Sequence, residues 1–194
     1  MDLKGKRIIL GSNSPRRREL LRGLCVDFET DTGTSFHESV LPGVPFQEIP
    51  RMMSEGKSLG FHRKLEENEI LITSDTMVLL DDAILGKPCS REEALRMLSA
   101  LSGKTHEVIT AVTLRCPSRM VTESDSTKVT FKDLSPEEAA FYVDRFSPFD
   151  KAGAYGVQEW IGYVGITRIE GSYFNVVGFP THLVYRMLQD FINR

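Results

Sequence analysis

Asp75 stands between two apolar runs, Ile70-Leu71-Ile72 and Met77-Val78-Leu79-Leu80. A carboxylate at the end of a strand sits where open α/β sheets place their ligands. There it can take a proton from water or hold a Mg²⁺ ion. A turn residue satisfied by backbone N–H groups would give the same pattern. A second set of residues points to an anion. Ser14-Pro15-Arg16-Arg17-Arg18 reads as a helix start, with serine as the cap and proline at the first helical position. It then sets three arginines against the positive end of the helix dipole, each misplaced by about 0.3–1 kcal/mol. Ser90-Arg91-Glu92-Glu93 and Ser135-Pro136-Glu137-Glu138 do the opposite, as capping boxes with acid in the first turn. The conflict resolves if an anion binds at the first helix. The turn Gly11-Ser12-Asn13-Ser14 follows a strand directly, so its N–H groups and hydroxyls can face the helix N-terminus, and arginine adds forked donors suited to phosphate. A solvated basic face that docks on an acidic partner is the other reading.

Further candidates are single residues in favourable settings. Lys57 lies on a long helix between Gly56 and Ser58, small residues that let a ligand come close, and Lys87 sits in the turn Gly86-Lys87-Pro88. Lys151–Gln158 is rich in small residues and ends in an amide. Gly153 and Gly156 permit close approach to a planar base, and Gln158 can donate and accept on a base edge; a tight structural loop would look the same. Several chemistries are excluded. Gly103-Lys104-Thr105 imitates a P-loop end, but Leu98 stands where the loop needs glycine, and Gly103 reads as a helix C′ residue. There is no Gly-x-Ser-x-Gly elbow and no His-Glu-x-x-His, and the four histidines form no ligand spacing. Cys25, Cys89 and Cys116 are scattered, so reduced thiols of a cytoplasmic protein are expected.

The elements that must carry these residues mix strands and helices. Arg7–Leu10 and Ile70–Ser74 read as strands, Met77–Leu80 and Ala83–Leu85 as a hairpin turning at Asp81-Asp82, and His106–Leu114 with Val121–Phe131 as a long antiparallel pair. Helices are expected over Pro15–Leu24, Val44–Phe61, Arg91–Leu101, Pro136–Phe146 and Pro180–Asn193, with a glycine-rich region from Lys151 to Gly178. The alternation predicts an α/β protein with a mixed, partly antiparallel sheet flanked by helices, and residues 1–194 as a single domain.

The chain's 194 residues carry a net charge of −3, but residues 1–25 hold seven Lys and Arg against two acids, so the remainder carries −8. The low overall charge speaks against long nucleic acid as a partner. The longest apolar run, Ala139–Val143, is far short of the roughly 20 residues of a membrane span, and no secretion signal core follows the first basic residues.

Ser12-Asn13-Ser14-Pro15-Arg16-Arg17 resembles the Ser-x-Ser-Pro-Arg-Arg signature of the Maf family of nucleoside triphosphate pyrophosphatases. The resemblance continues through Ser74-Asp75-Thr76, Leu85–Pro88, Leu101–His106, Lys151–Gln158 and Gly171–Gly178, six motifs in family order over about 170 residues. It implies an inosine-triphosphatase-like fold with two lobes around a cleft, a homodimer and a divalent cation, Mg²⁺ or Mn²⁺. It makes Asp75 the catalytic proton acceptor and a metal ligand. Ser12, Ser14, Arg16, Lys57 and Lys87 bind the triphosphate, and Arg16, Thr76 and Gln158 govern base choice. The run Ala-Gly-Ala-Tyr-Gly-x-Gln resembles the subgroup acting on dTTP and UTP, while Glu159-Trp160 is less typical of it. Where the family often has Asp-x-Asp-Glu, this chain has Ser35-Phe36-His37-Glu38, leaving Glu38 as a metal candidate and His37 incidental. The aromatics Tyr173 and Phe174 are expected to pack as core with Asn175 behind the site. The implied activity is cleavage of dTTP, UTP or modified pyrimidine nucleotides to monophosphate and pyrophosphate, a house-cleaning role with a link to septum formation. A non-catalytic regulatory module in cell division and a purine-directed ITP or XTP pyrophosphatase are the alternatives.

Overall fold

Ile8, Ile9 and Leu10 lie buried in β1 (Arg7–Leu10), which pairs in parallel with β2 (Phe28–Thr30) on one side and β3 (Glu69–Leu80) on the other. A strand flanked and covered on every side is apolar along its whole length, which is why this run shows no alternation. The computed structural model describes residues 2–37 and 43–193. The remaining strands are β4 (Ala83–Leu85), β5 (Thr105–Cys116), β6 (Arg119–Phe131) and β7 (Ile166–Glu170). The hydrogen-bonded order is β2-β1-β3-β5-β6-β7, with β4 antiparallel to the end of β3 and β7 antiparallel to β6. The expected mixed α/β sheet is therefore present. The helices are α1 (Pro15–Gly23), α2 (Ile49–Leu59), α3 (Arg91–Leu101), α4 (Pro136–Phe146), α5 (Trp160–Gly165), α6 (Tyr173–Val177) and α7 (Thr181–Asn193).

Local signals set the helix starts. Ser135 accepts from the Glu138 N–H while the Glu138 carboxylate accepts from the Ser135 N–H, a complete capping box. Ser90 caps α3 through the Glu93 N–H, but the Glu93 side chain reaches past the cap to the Cys89 N–H at 2.7 Å, so this box is open. Gly103 follows the α3 cap with φ +69°, as its place at C′ predicts. α7 buries Leu183, Val184, Met187, Leu188 and Phe191 at helical spacing.

The structure departs from the expected organisation at three places. The break foreseen at Asp75-Thr76 does not exist, because β3 runs unbroken from Glu69 to Leu80. The short strand β2 was not foreseen. The glycine-rich region from Lys151 to Gly178, for which no element was named, contains α5, β7 and α6.

The chain forms two compact units. Unit one comprises Met1–Asp75, Thr110–Asp125 and Gly178–Arg194; unit two comprises Thr76–Ile109 and Ser126–Val177. The core of unit one packs Ile8, Leu10, Leu21, Ile70, Ile72, Val112 and Leu114 against the apolar stripe of α7. That of unit two packs Val78, Leu98, Leu101, Phe131, Tyr142 and Ile161. Unit one also buries a charge. Glu69, 1% exposed at the start of β3, takes two hydrogen bonds from the Arg63 guanidinium at 2.7 and 3.0 Å, and these hold its carboxyl below the usual range. A buried carboxylate persists only with such a partner.

Candidate active site

In unit one the site is built where α1 follows the end of β1 and α2 docks on the middle of β3. The Gly11 N–H donates to the Ile72 carbonyl at 2.8 Å, so the chain leaves β1 while still fastened to β3. The Ser12 hydroxyl, in a buried residue, then accepts from the Ser14 N–H at 3.2 Å, and Ser14 caps α1 through the Arg17 N–H. No acid occupies the first turn of α1. This leaves a serine-lined turn at the positive end of a helix dipole, with Arg16 half-buried beside it.

Arg17 has a different task from Arg16. Its Nη1–H donates to the Ser74 carbonyl at 2.7 Å and its Nε–H to the Gly178 carbonyl at 2.9 Å. The guanidinium thereby fixes α1 to the residue preceding Asp75. Arg17→Ala leaves both carbonyls without a charged donor and is expected to lower stability by about 1.5–3 kcal/mol. A shift of the urea midpoint larger than that of Arg18→Ala checks this.

Asp75 and Thr76 are the two less buried positions of a strand otherwise buried from end to end. Thr73 and Asp75, two residues apart, share one face of β3, and Ser54 and Lys57, three apart, share one face of α2. The two faces dock in register. The Ser54 hydroxyl donates to the Thr73 carbonyl at 3.2 Å, the Thr73 hydroxyl returns a bond to the Ser54 carbonyl at 2.8 Å, and Lys57 Nζ donates to Asp75 Oδ1 at 2.6 Å. Both side chains of the ion pair are 20% exposed, so the pair opens to solvent at the margin of a dry interface. The last turn of α2 is closed by Arg115, whose Nη2–H donates to the Ser58 carbonyl at 2.6 Å. The small residues around Lys57 have a role in the fold itself. A Cβ on Gly56 would collide with the Phe36 ring, one on Gly60 would meet Phe36 Cβ at 2.8 Å, and Ser58 is taken by Arg115.

In unit two, Thr76 continues β3 and Lys87 lies exposed in the turn after β4. The Gly153 N–H donates to the Gly86 carbonyl at 3.0 Å, so the Lys87 turn and the Lys151–Gln158 loop are held together. Gly153 has φ +70°, which explains its identity, and a Cβ there would press on Val78 at 3.2 Å. A Cβ on Gly156 would lie 2.8 Å from Glu159 Cδ. Both glycines thus lie close against the protein's own side chains. Gln158 is half-buried in the turn that closes the loop, where the Glu159 N–H donates to the Gly156 carbonyl at 3.0 Å. Tyr173 and Phe174 are 42% and 44% exposed, not core, while Asn175 is fully buried and donates to the Val108 carbonyl and Thr127 hydroxyl. Sequence reasoning passed over Arg17 and Lys151 as positioning groups, and Ser54 and Tyr142 altogether. The visible signal for Lys151 was charge, it and Glu159 bracketing an otherwise neutral loop.

Glu38 lies outside the described residues. Among those described, no three His, Cys, Asp or Glu side chains converge on a point. Asp75 alone fits a hard divalent ion that takes one carboxylate and draws its other oxygens from water and phosphate, as Mg²⁺ does.

A mixed α/β sheet carrying a cationic serine turn, and a lysine–aspartate pair at a strand position open to solvent, define a protein for a phosphate-bearing ligand. Comparison with known proteins makes this specific. The family model described as Maf-like protein matches residues 7–191. A dTTP/UTP pyrophosphatase of Porphyromonas gingivalis is 46% identical over 192 residues, covering 98% of this chain and 96% of that protein. Proteins of the same name from Parabacteroides distasonis and Flavobacterium johnsoniae are 43% and 44% identical over 190 residues, covering 98% of this chain and 98% and 97% of theirs. A solved structure of a HAM1 protein from Coxiella burnetii aligns with a TM-score of 0.48 at 15% identity, over 95% of this chain and 99% of that one. The chain belongs to the Maf family.

Proposed function

We propose that this protein hydrolyses dTTP and UTP, and modified pyrimidine nucleotides of the same shape, to the nucleoside monophosphate and pyrophosphate. The names of its relatives at 43–46% identity over nearly the full chain support the activity. The structural observation that carries it is the Lys57–Asp75 pair, which sets a proton acceptor 2.6 Å from a cation. In this reading Asp75 takes a proton from water as the water oxygen attacks the α-phosphorus. The bond from that phosphorus to the bridging oxygen breaks, and pyrophosphate leaves with the electron pair. Lys57 has three N–H donors, so it can bridge Asp75 to a phosphate oxygen. Arg16, Lys87 and the Ser12–Ser14 turn neutralise and orient the remaining phosphate charge. Thr76 and Gln158, with Arg16, select the base. A divalent ion, Mg²⁺ or Mn²⁺, held by Asp75 would supply further charge neutralisation on the phosphates.

No helix among the described residues is long and apolar enough to cross a membrane. The reading includes a single 1–194 domain acting as a homodimer in the cytoplasm, with a house-cleaning role and a link to septum formation. The test is pyrophosphate release from dTTP, UTP, CTP, dCTP, ITP and XTP with Mg²⁺. Fastest turnover of dTTP and UTP is expected. Release from none of them refutes the enzyme, and preference for ITP or XTP refutes the pyrimidine assignment.

A further inference from the structure

We infer that Tyr142, Lys151 and Glu159 are positioning residues for base selection, acting through the turn that presents Gln158. The inference rests on the reading that Gln158 meets the base. Lys151 and Glu159 close the loop at its two ends. Lys151 Nζ lies 3.0 Å from Glu159 Oε1 and 2.7 Å from Asp150 Oδ1, with only 9% of its side chain exposed. The other carboxylate oxygen of Glu159 accepts the hydroxyl of Tyr142, a fully buried residue of α4. That same Tyr142 oxygen accepts the Gly156 N–H at 2.9 Å. The Glu159 N–H then returns to the Gly156 carbonyl at 3.0 Å, so both backbone groups of Gly156 are committed and Val157-Gln158 is the span between. On the far side of Glu159, Trp160 packs edge-on against Phe141 of the same helix at 4.8 Å.

Three of these bonds, Lys151 to Glu159, Tyr142 to Glu159 and the Gly156 N–H to Tyr142, tie the segments on either side of Gln158 together and to α4, whose Tyr142 ring also packs in the core of unit two. The Lys151–Glu159 pair, 9% and 21% exposed, is a poor source of stability, since desolvation opposes its attraction, but together with Asp150 and the Tyr142 hydroxyl it favours one arrangement of the two loop ends. The tyrosine hydroxyl between them transmits that geometry to the Gly156 N–H. Discrimination between bases by hydrogen bonding needs the reading amide placed within about 0.5 Å. The clamp supplies this placement without touching the base.

The experiment compares kcat and KM for UTP and CTP in the full-length protein and in Tyr142→Phe, Glu159→Gln and Gln158→Ala. Tyr142→Phe keeps the ring and deletes the bridging hydroxyl; Glu159→Gln keeps shape and acceptor and deletes the charge paired with Lys151. The expected result is a rise in KM for UTP of about tenfold in Tyr142→Phe with kcat within threefold, and a fall of the UTP-over-CTP ratio by a similar factor. Glu159→Gln falls between it and wild type. A merely structural role would lower kcat for both nucleotides together and leave the ratio intact, which would overturn the inference. If Gln158→Ala itself leaves the ratio unchanged, the base assignment fails and the clamp's role with it. Should Tyr142→Phe not fold, the ratio in Glu159→Gln decides.

Discussion

Asp75→Asn is expected to lower kcat for dTTP by about 10²–10⁴-fold, the usual share of a positioned general base. The substitution is nearly isosteric, and the amide oxygen can still accept from Lys57, so the docking of α2 on β3 through Ser54 and Thr73 survives. What disappears is the proton acceptor and the negative charge 2.6 Å from the ammonium. Lys57, released from its counter-charge, then interacts more strongly with the triphosphate, so KM should stay constant or fall while kcat collapses. That pattern, an interaction lost only in the transition state, separates a base from a residue that merely binds substrate. Steady-state pyrophosphate release gives both parameters, and a thermal midpoint within a few degrees of wild type shows that the fold is kept. Turnover within threefold of wild type would remove Asp75 from the mechanism. A raised KM at unchanged kcat would make it a binding residue.

The contrast between Asp75 and its surroundings shows what could be read from sequence. Helices α3 and α4 were legible to the residue, because a serine cap with a glutamate three residues on is a local signal and needs no partner elsewhere. The serine-capped basic start of α1 was legible for the same reason, as a violation of that signal in one helix of three. β3 was read as two strands because aspartate disfavours extended structure. In the fold, Asp75 continues a strand whose first half is paired to β1, and Lys57 holds its carboxylate. β2 and β7, three and five residues long and largely exposed, owe their existence to the strands they pair with, which no local pattern announces. The glycines show a second role that no local pattern announces. Gly56 and Gly60 make room for Phe36, twenty or more residues away, and Gly156 for Glu159. Small residues mark close approach, but sequence does not say whether a ligand or the chain's own side chain approaches. The Tyr142–Glu159 bond, seventeen residues apart, was invisible for the same reason.

Between pH 6.5 and 4.5 the protein is expected to lose roughly 2–3 kcal/mol of stability through one side chain, His106. The imidazole is buried in unit two, stacked on Phe131 at 5.7 Å and edge-on to Tyr155 at 5.3 Å, with Nε2 bonded to the Tyr155 hydroxyl at 2.7 Å. Nδ1 is buried with no hydrogen-bond partner among the described residues. Nothing there offsets the desolvation of a cation, and burial pushes the pKa down from 6.5 to about 4. The direction follows from proton counting. Below pH 6.5 the unfolded chain binds a proton on this residue while the folded chain refuses it until about pH 4. Stability is therefore complete above 6.5 and falls through the interval, and below 4 this group contributes no further loss. The carboxylates held low by their partners, Glu69 by Arg63 and Asp144 by Arg91, act in the same direction, their loss setting in as pH falls through the unfolded carboxylate values of 4.5 and 3.8. The difference between wild type and a variant that lacks the imidazole therefore isolates the histidine. Urea midpoints at half-unit steps should slope downward more steeply in wild type than in His106→Gln, which keeps an acceptor for Tyr155 and cannot titrate. A net stability of about 5–15 kcal/mol makes the difference a substantial fraction of the whole. Parallel slopes in the two proteins would place the acid sensitivity elsewhere, and would mean that the folded state accepts a proton on Nδ1 by drawing water to it.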